Sequence, residues 1–359
     1  MSDPSNRPEI LVIGGTGAQG IPVVEALGKS GRYTVRLFTR DPKSTRARTL
    51  AMLPNVKIHQ GNVTSQEDLH AAFRGVYGAW VNTDGFTLGE KNELFYAIRA
   101  YEIALHEGVK HYVWANSDYA LRKAGWNERY HWGHNDAKGR VGDFILAQGQ
   151  QRIKSTLFTT GPYMEMLFDG MFKPEEREDG TIVWANPAGN GKIPLIALDD
   201  VGSYVLWIFD NVERSAGVDL EVTTDQVSFQ DILEVFIRVT GKKAVHITLS
   251  MEEYMDKVEP YPNAPANFIG GKNRIDDESN MTWRQNFTAW WRYWSEGIGA
   301  TRDFALLDEI FPGRIKSLET WMRKVDYQGK PKQVLKNLED LKAQLADTGQ
   351  EIHGPHNSG

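Results

Sequence analysis

The chain of 359 residues contains no cysteine. That absence excludes disulfide staples, thiolate nucleophiles and cysteine-held zinc or iron–sulfur centres, so any redox chemistry has to come from a bound cofactor. Long apolar runs are missing as well. No stretch approaches the ~20 apolar residues that a bilayer requires, and the N-terminal MSDPSNRPE has no apolar core of the signal-peptide kind. The expectation is a cytoplasmic protein with no membrane partner. Nor is there an excess of positive charge: 41 Lys and Arg stand against 47 Asp and Glu, a formal net charge of -6. The basic residues are scattered, which argues against a face built to bind nucleic acid directly. What remains is ordinary for a globular protein, with 41% hydrophobic and 25% charged residues and length enough for a sizeable core.

One stretch organises the rest. Residues 10 to 20 read ILVIGGTGAQG, an apolar run that breaks into glycines at Gly14, Gly17 and Gly20. A buried parallel strand that turns sharply into a helix presents the helix's free amides to a dinucleotide pyrophosphate. A side chain at Gly14 or Gly17 would obstruct that approach, and one at Gly20 would push the helix off the strand. A turn of this kind can also bind nothing, and the glycine triplet alone is weak; its place after a strand, before a helix and near the N-terminus strengthens it. About 20 residues on, at the end of the second apolar strand, stands Arg40 where NAD-binding folds place Asp or Glu on the ribose hydroxyls. Arg40, with Lys43, Arg46 and Arg48 behind it, suits the 2′-phosphate of NADP(H). The competing reading is a solvated basic helix start.

Strand and helix patterns then alternate: strands at 33–39, 56–60, 77–81, 110–115 and 155–159, with helices between them, and an α/β doubly wound parallel sheet follows. The cleft lies at the C-terminal strand ends. By position, Asn62 and Val63 fall beside the adenine, Asn82 and Thr83 near the middle of the cofactor, and Asn116, Ser117 and Tyr119 nearest the nicotinamide. Each polar residue among these could equally cap a helix or close a turn. Residues 122–137 read as a loop over the cleft, and 136–148 as a helix with Lys138 in its first turn. Asp199 and Asp200 invite a metal, but Asp before Val-Gly at a helix start reads as an N-cap, and no metal is expected.

The glycine loop, the Thr39-Arg40-Asp41-Pro42 stretch, HNDAKGRV at 134–141, GPYMEML at 161–167 and IPLIALDDVG at 193–202 together resemble the NmrA-like family, within the atypical short-chain dehydrogenase/reductase group. The resemblance covers about residues 8 to 250. It implies a Rossmann-type NADP-binding domain of strand order 3-2-1-4-5-6 with a smaller, mainly helical C-terminal domain closing the substrate cleft. Domain spans of 8–160 and 161–347, partly interleaved, are expected. Carried over residue by residue, Gly14, Thr16, Gly17, Ala18, Gln19 and Gly20 match the phosphate loop, Arg40 and Lys43 the 2′-phosphate contacts, and Lys138 the lysine that reaches the nicotinamide ribose. Tyr163 and Met164 match the segment covering the nicotinamide. One departure matters: the dehydrogenase tyrosine four residues before the lysine is replaced by His134.

The resemblance implies one of two roles, an NADP-dependent oxidoreductase or a dinucleotide-sensing regulator that acts through a protein partner. Within the first, Lys138, His134 and Tyr119 are the catalytic candidates, and the substrate is a small, apolar or aromatic metabolite bearing a carbonyl, imine or conjugated double bond. The C-terminal part carries Trp283, Trp290, Trp291, Trp294 and Trp321, which at helical spacing read as packing, some walling the substrate pocket. Residues 332–345 repeat apolar positions at Val334, Leu338, Leu341 and Leu345, a terminal amphipathic helix that packs on the body or on a second subunit as a homodimer.

Cofactor choice is the first test. Arg40→Ala should weaken NADPH by about 1.5–3 kcal/mol, the range for hydrogen bonds to a charged group, and leave NADH nearly unchanged. Equal affinities of the unmodified chain for the two dinucleotides in calorimetry would exclude the 2′-phosphate role.

Overall fold

The structure, a computed structural model, describes residues 7–299 and 301–341. Strand and helix alternate as β1 (Glu9–Ile13), α1 (Gly20–Ser30), β2 (Thr34–Thr39), α2 (Thr45–Ala51), β3 (Val56–Gln60), α3 (Gln66–Phe73), β4 (Gly78–Val81), α4 (Gly85–Leu88), α5 (Glu90–His106), β5 (His111–Ser117), α6 (Ala120–Lys123), α7 (Gly133–Ala147) and β6 (Lys154–Thr160). Six strands pair in parallel in the order β3-β2-β1-β4-β5-β6, which is the doubly wound sheet. The central strands are apolar throughout because both faces are covered: Ile10, Leu11 and Val12 are fully buried.

Beyond β6 the chain leaves the sheet through β7 (Glu175–Glu176), β8 (Ile182–Asn186) and β9 (Ile193–Leu195) and comes back along α8 (Leu198–Asp210) and α9 (Val212–Ser215). It then adds a seventh parallel strand, β10 (Asp219–Val222), with Asp219 opposite Leu157 of β6. This strand, DLEV, is short and half acidic, so no apolar run announces it. The remainder is β11 (Asp225–Val227), α10 (Phe229–Thr240), β12 (Ala244–Thr248), α11 (Met251–Val258), α12 (Trp283–Ser295), α13 (Phe304–Ile310) and α14 (Leu318–Lys324).

Two apolar layers sandwich the sheet. One joins α1, α8 and α13 through Val24, Leu27, Tyr204, Val205, Ile208 and Leu307; the other joins α3, α5 and α7 through Phe73, Ala100, Tyr101, Val141 and Ile145. A third, aromatic cluster holds the C-terminal part together around Trp132, Trp184, Trp291, Trp294, Trp321 and Tyr327. The tryptophans of α12 and α14 are therefore packing, as their helical spacing suggests. Trp291 and Trp321 are fully buried. Because α8, β10 and α13 follow residue 160 yet pack on the sheet, the chain crosses between the two parts more than once.

Three local expectations are corrected. Helix α7 starts at Gly133 rather than Asp136, because the buried Asp136 carboxylate accepts the backbone N–H groups of Trp132 and Leu121 at 3.1 and 3.0 Å. It secures the first turn from inside the helix. At α8 neither aspartate is the cap. The Glu165 carboxylate accepts from Leu198 N, while Asp200 accepts from Ile315 N and Asp199 pairs with Lys324. The C-terminal stretch is helical only from 336 among its described residues, to 341; Leu345 lies outside them.

The two parts are bolted together by charge. Asp118, just past β5, holds Arg302 through both carboxylate oxygens at 3.0 and 2.9 Å, and both side chains are wholly buried. Lys123 and Glu221 complete the group. Removing one partner strands the other charge in the interior, which costs about 3–5 kcal/mol. Asp118→Ala should lower the urea midpoint accordingly, and a midpoint within error of the unmodified protein would show the pair to be dispensable.

Candidate functional site

The glycine loop is shaped by contacts that leave no space for side chains on its inner side. Gly14 has φ +79°, and a Cβ added there would stand 2.4 Å from the Asn82 carbonyl oxygen; one at Gly20 would stand 2.1 Å from the Gly14 carbonyl oxygen. Gly17 differs. Its added Cβ would meet only the Gly14 carbonyl, at 3.3 Å, so its outer face is open. The Gly17 N–H closes the turn on Gly14 O at 3.0 Å, and Gly20 N and Ile21 N begin the helix on Gly17 O. The amides of Thr16, Ala18 and Gln19 find no acceptor among the described residues. Unpaired amides at the start of a helix, under an open glycine, fit an anionic pyrophosphate.

Behind the loop a chain of polar side chains locks the strand ends. Gln19 is buried; its Nε2 donates to Thr160 Oγ1 at the end of β6, and its Oε1 accepts from Asn82 Nδ2 at 3.0 Å. Asn82 Oδ1 in turn accepts from Lys138 Nζ at 3.1 Å. The same ammonium donates to the Thr83 carbonyl at 2.9 Å, lies 3.2 Å from Glu93 Oε1 and stands 4.9 Å above the Trp114 ring. Glu93 is fully buried on α5 and also accepts from Thr83 Oγ1 at 2.7 Å. Burial pushes its carboxyl pKa up, and the Lys138 charge pulls it back down.

His134 lies one helical turn before Lys138 on the same face of α7. It lines a small cavity of about 20 Å³, room for about one water, with Gly85, Phe86, Gly133, Met281 and Asn286. Phe86 and Phe287 flank the imidazole at 4.5 and 5.8 Å between ring centroids. Its Nδ1 accepts from Asn286 Nδ2 at 3.1 Å, so the proton of the neutral ring is on Nε2. Burial brings the imidazole pKa down to about 4, with the Lys138 charge acting in the same direction. Asn267 and Asn280 line the same cavity, and their Oδ1 and Nδ2 atoms are buried without a partner among the described residues.

Other candidates are placed differently. Tyr119 is turned to the far side of α7, where its hydroxyl accepts from Arg140 Nε at 3.2 Å and its ring meets Trp126; nothing connects it to Lys138 or His134. Met164 is fully buried in the aromatic cluster and faces no cleft. Tyr163 is half-buried against the sheet layer, its hydroxyl pKa pushed up to about 12 by burial. Asn62 closes an Asx turn, accepting from Thr64 N, and Val63 packs on the α3–α5 layer. Asn116 Nδ2 donates to Thr159 Oγ1, a strand-to-strand tie. Arg40 and Lys43 are exposed, with no side-chain partner among the described residues. Sequence reasoning passes over Glu93 and Asn286. Nothing in a helix-period stripe separates a buried Glu from a solvated one, and Asn286 comes from a helix 152 residues away in sequence.

With this geometry in hand, the comparisons are specific. The family model described as the NmrA-like family matches residues 6–288. A protein named as an NmrA-like family domain-containing oxidoreductase, himF of Aspergillus japonicus, is 29% identical over 261 residues, covering 69% of this chain and 77% of its own. Among solved structures, NmrA, a negative transcriptional regulator in complex with NADP, superposes with a TM-score of 0.70 at 20% identity, covering 89% of this chain and 95% of that one. The triphenylmethane reductase of a Citrobacter species, complexed with NADP(H), gives 0.63 at 19%, covering 88% and 99%. At these identities the structures establish the fold.

The open face of Gly17 makes a clean test. Gly17→Val should leave the circular dichroism spectrum nearly unchanged and lower the melting temperature only slightly, since the Gly14 carbonyl has to give by a few tenths of an ångström, while dinucleotide binding disappears. Undiminished NADPH binding by a folded Gly17→Val chain would move the dinucleotide away from this loop.

Proposed function

The chain belongs to the NmrA-like family, and from that premise we propose that it is an NADP(H)-dependent reductase of a small aromatic or apolar metabolite carrying a carbonyl, imine or conjugated double bond. The naming of its relatives as oxidoreductases supports the general class. In this reading residues 8–160 supply the cofactor site and 161–347 the substrate side. The loop from Gly14 to Gly20 would hold the pyrophosphate, Arg40 and Lys43 the 2′-phosphate, Asn62 and Val63 the adenine side, and Asn82, Thr83, Lys138 and Tyr163 the nicotinamide half. Bound NADPH supplies the hydride.

The observation that carries the proposal is a neutral histidine one turn from Lys138, set between the rings of Phe86 and Phe287 beside a small cavity. Asn286 fixes the tautomer, so Nε2–H is a donor at any pH above about 4. In this reading the neutral imidazole would hydrogen-bond the developing oxyanion through Nε2–H while a water supplies the proton that the reduced product takes up, in place of the phenol that protonates it in tyrosine-bearing dehydrogenases. Lys138, anchored on Asn82, Thr83 and Glu93, fixes the strand ends that orient the nicotinamide ribose and keeps a positive charge beside the reacting centre. The unpartnered Asn267 Oδ1 and Asn280 Nδ2 offer one acceptor and one donor for the substrate's polar end. Tyr119, bound to Arg140 on the other side of α7, has no part. The alternative, a regulator that binds the dinucleotide and does no chemistry, is favoured by the same replacement of tyrosine by His134.

Purified protein with a panel of aromatic ketones, enones and imines should oxidise NADPH. Lys138→Met should lower kcat by about 10²-fold, and His134→Phe should lower it while leaving the NADPH dissociation constant within a few-fold. The pH profile gives an independent check. With the imidazole pKa lowered to about 4, His134 is already neutral in the folded protein throughout pH 5.5–8, so kcat/KM should show no His134-dependent break near 6.5. A break there that His134→Phe removes would show an exposed, titrating imidazole instead. No turnover, together with a crystal structure of the NADPH complex in which nicotinamide C4 is sealed by side chains, would hand the protein to the regulator reading.

A further inference from the structure

Four basic residues follow β2, and the structure treats one of them differently. The side chains of Arg40, Lys43 and Arg48 are exposed and have no partner among the described residues. Arg46 is instead half-buried and turned toward the glycine loop, NH1 reaching the Thr16 carbonyl at 3.4 Å. Its Nε and NH2 both donate to one carboxylate oxygen of Glu339, Nε at 3.0 Å, and NH2 also reaches the Val334 carbonyl at 3.3 Å. A carboxylate from the far end of the chain thus sits on the arginine nearest the phosphate loop.

Glu339 is delivered there by a strap, residues 332–341, tied to the body by hydrogen bonds. Lys332 N donates to the Phe168 carbonyl, and Val334 N and Leu335 N donate to the buried Asp169 carboxylate, all just beyond β6. Asn337 Nδ2 then donates to both oxygens of Asp84, just beyond β4. Arg46, just beyond β2, is the last anchor. Val334 meets Asp169 through its N–H and Arg46 through its carbonyl, so the anchors of the strap converge beside the glycine loop. In a fold of this topology the dinucleotide pyrophosphate lies at that loop.

We propose that the Glu339 carboxylate holds on Arg46 the place of a dinucleotide phosphate, so that cofactor entry exchanges one anion for another and lifts residues 334–341 from the cleft. The inference rests on the reading of the chain as an NADP(H) binder and adds to it a fourth, latent phosphate ligand and the group that masks it. The physical basis is that a guanidinium accepts a carboxylate or a phosphate with the same donors, and the phosphate brings more charge. Arg46 is the residue gained by the ligand, and Glu339 is the resident competitor.

The experiment is calorimetry and stopped-flow binding of NADPH and NADH to the full chain, to E339Q, to R46Q and to the double variant. E339Q should tighten NADPH about threefold or more and speed its association, since a partly exposed ion pair no longer has to break. R46Q should weaken NADPH about tenfold; an equal loss for NADH places Arg46 on the pyrophosphate, and a loss confined to NADPH places it on the 2′-phosphate. In the R46Q background E339Q should change nothing, whereas a glutamate that merely stiffened the strap would still matter there. Hydrogen exchange at Val334 and Leu335 should quicken when NADPH binds. Unchanged or weakened NADPH binding in E339Q, or slower exchange at the strap, overturns the inference and makes the segment a lid that closes over the cofactor. Failure of the unmodified chain and E339Q alike to bind either dinucleotide removes the cofactor reading and this inference together.

Discussion

The buried pair of Glu93 and Lys138 is the constraint on which the cleft depends. An unpaired carboxylate at a position with no solvent exposure would be prohibitively unfavourable, and an ammonium beside it answers that cost only when other acceptors complete its shell. Asn82, the Thr83 carbonyl and the Trp114 face do so. Through Asn82 the same set reaches Gln19 and Thr160, so α5, α7, β4, β6 and the glycine loop are fixed relative to one another by a single connected group of polar contacts. The loop can then present its free amides because its other side is held still. The neighbouring imidazole inherits this environment: the charge on Lys138 and the absence of solvent both disfavour a second cation one turn away.

Much of this was legible in the sequence, for a physical reason. Parallel strands buried on both faces must be continuous apolar runs, and a strand that turns into a phosphate-binding helix must have glycine where backbone meets backbone, so residues 10–20 carry their meaning without context. The order of six strands followed from the resemblance. Features that depend on distant partners were not legible. The strand β10 is recognised by its pairing with β6 and not by composition. Asp136 and Glu165 act as caps from positions that local rules assign elsewhere, since the backbone N–H groups they satisfy are reached through the tertiary fold. Tyr119 looked close to the nicotinamide because it follows β5, yet the chain bends at Asp118 to meet Arg302 and carries the phenol to the other face of α7.

The aromatic cluster shows how composition can mislead about chemistry while remaining informative about structure. Most of the tryptophans beyond residue 280 are core, held edge to face, as Trp290 and Trp291 are at 4.7 Å and Tyr293 and Trp294 at 4.8 Å. Only Phe287 turns toward His134, and it meets Phe86 from the other part of the chain in a stacked arrangement. The cavity is thus a seam between the sheet part and the helical part, lined by Phe86 and His134 from the first and by Met281 and Asn286 from the second.

The seventh strand has a consequence for assembly. β10 can pair with β6 only after residues 161–218 have been traversed, and those residues contribute Met164, Leu167, Phe172 and Trp184 to the aromatic core and α8 to a face of the sheet. Until β10 arrives, β6 is a bare edge with unpaired backbone groups, open to pairing with another chain. Completion of the sheet and consolidation of the aromatic core are therefore late and linked steps in folding, governed by contacts of high sequence separation. A chain interrupted within that excursion during synthesis would expose both a sticky edge and half an aromatic core, a species prone to aggregation well before any cofactor could rescue it.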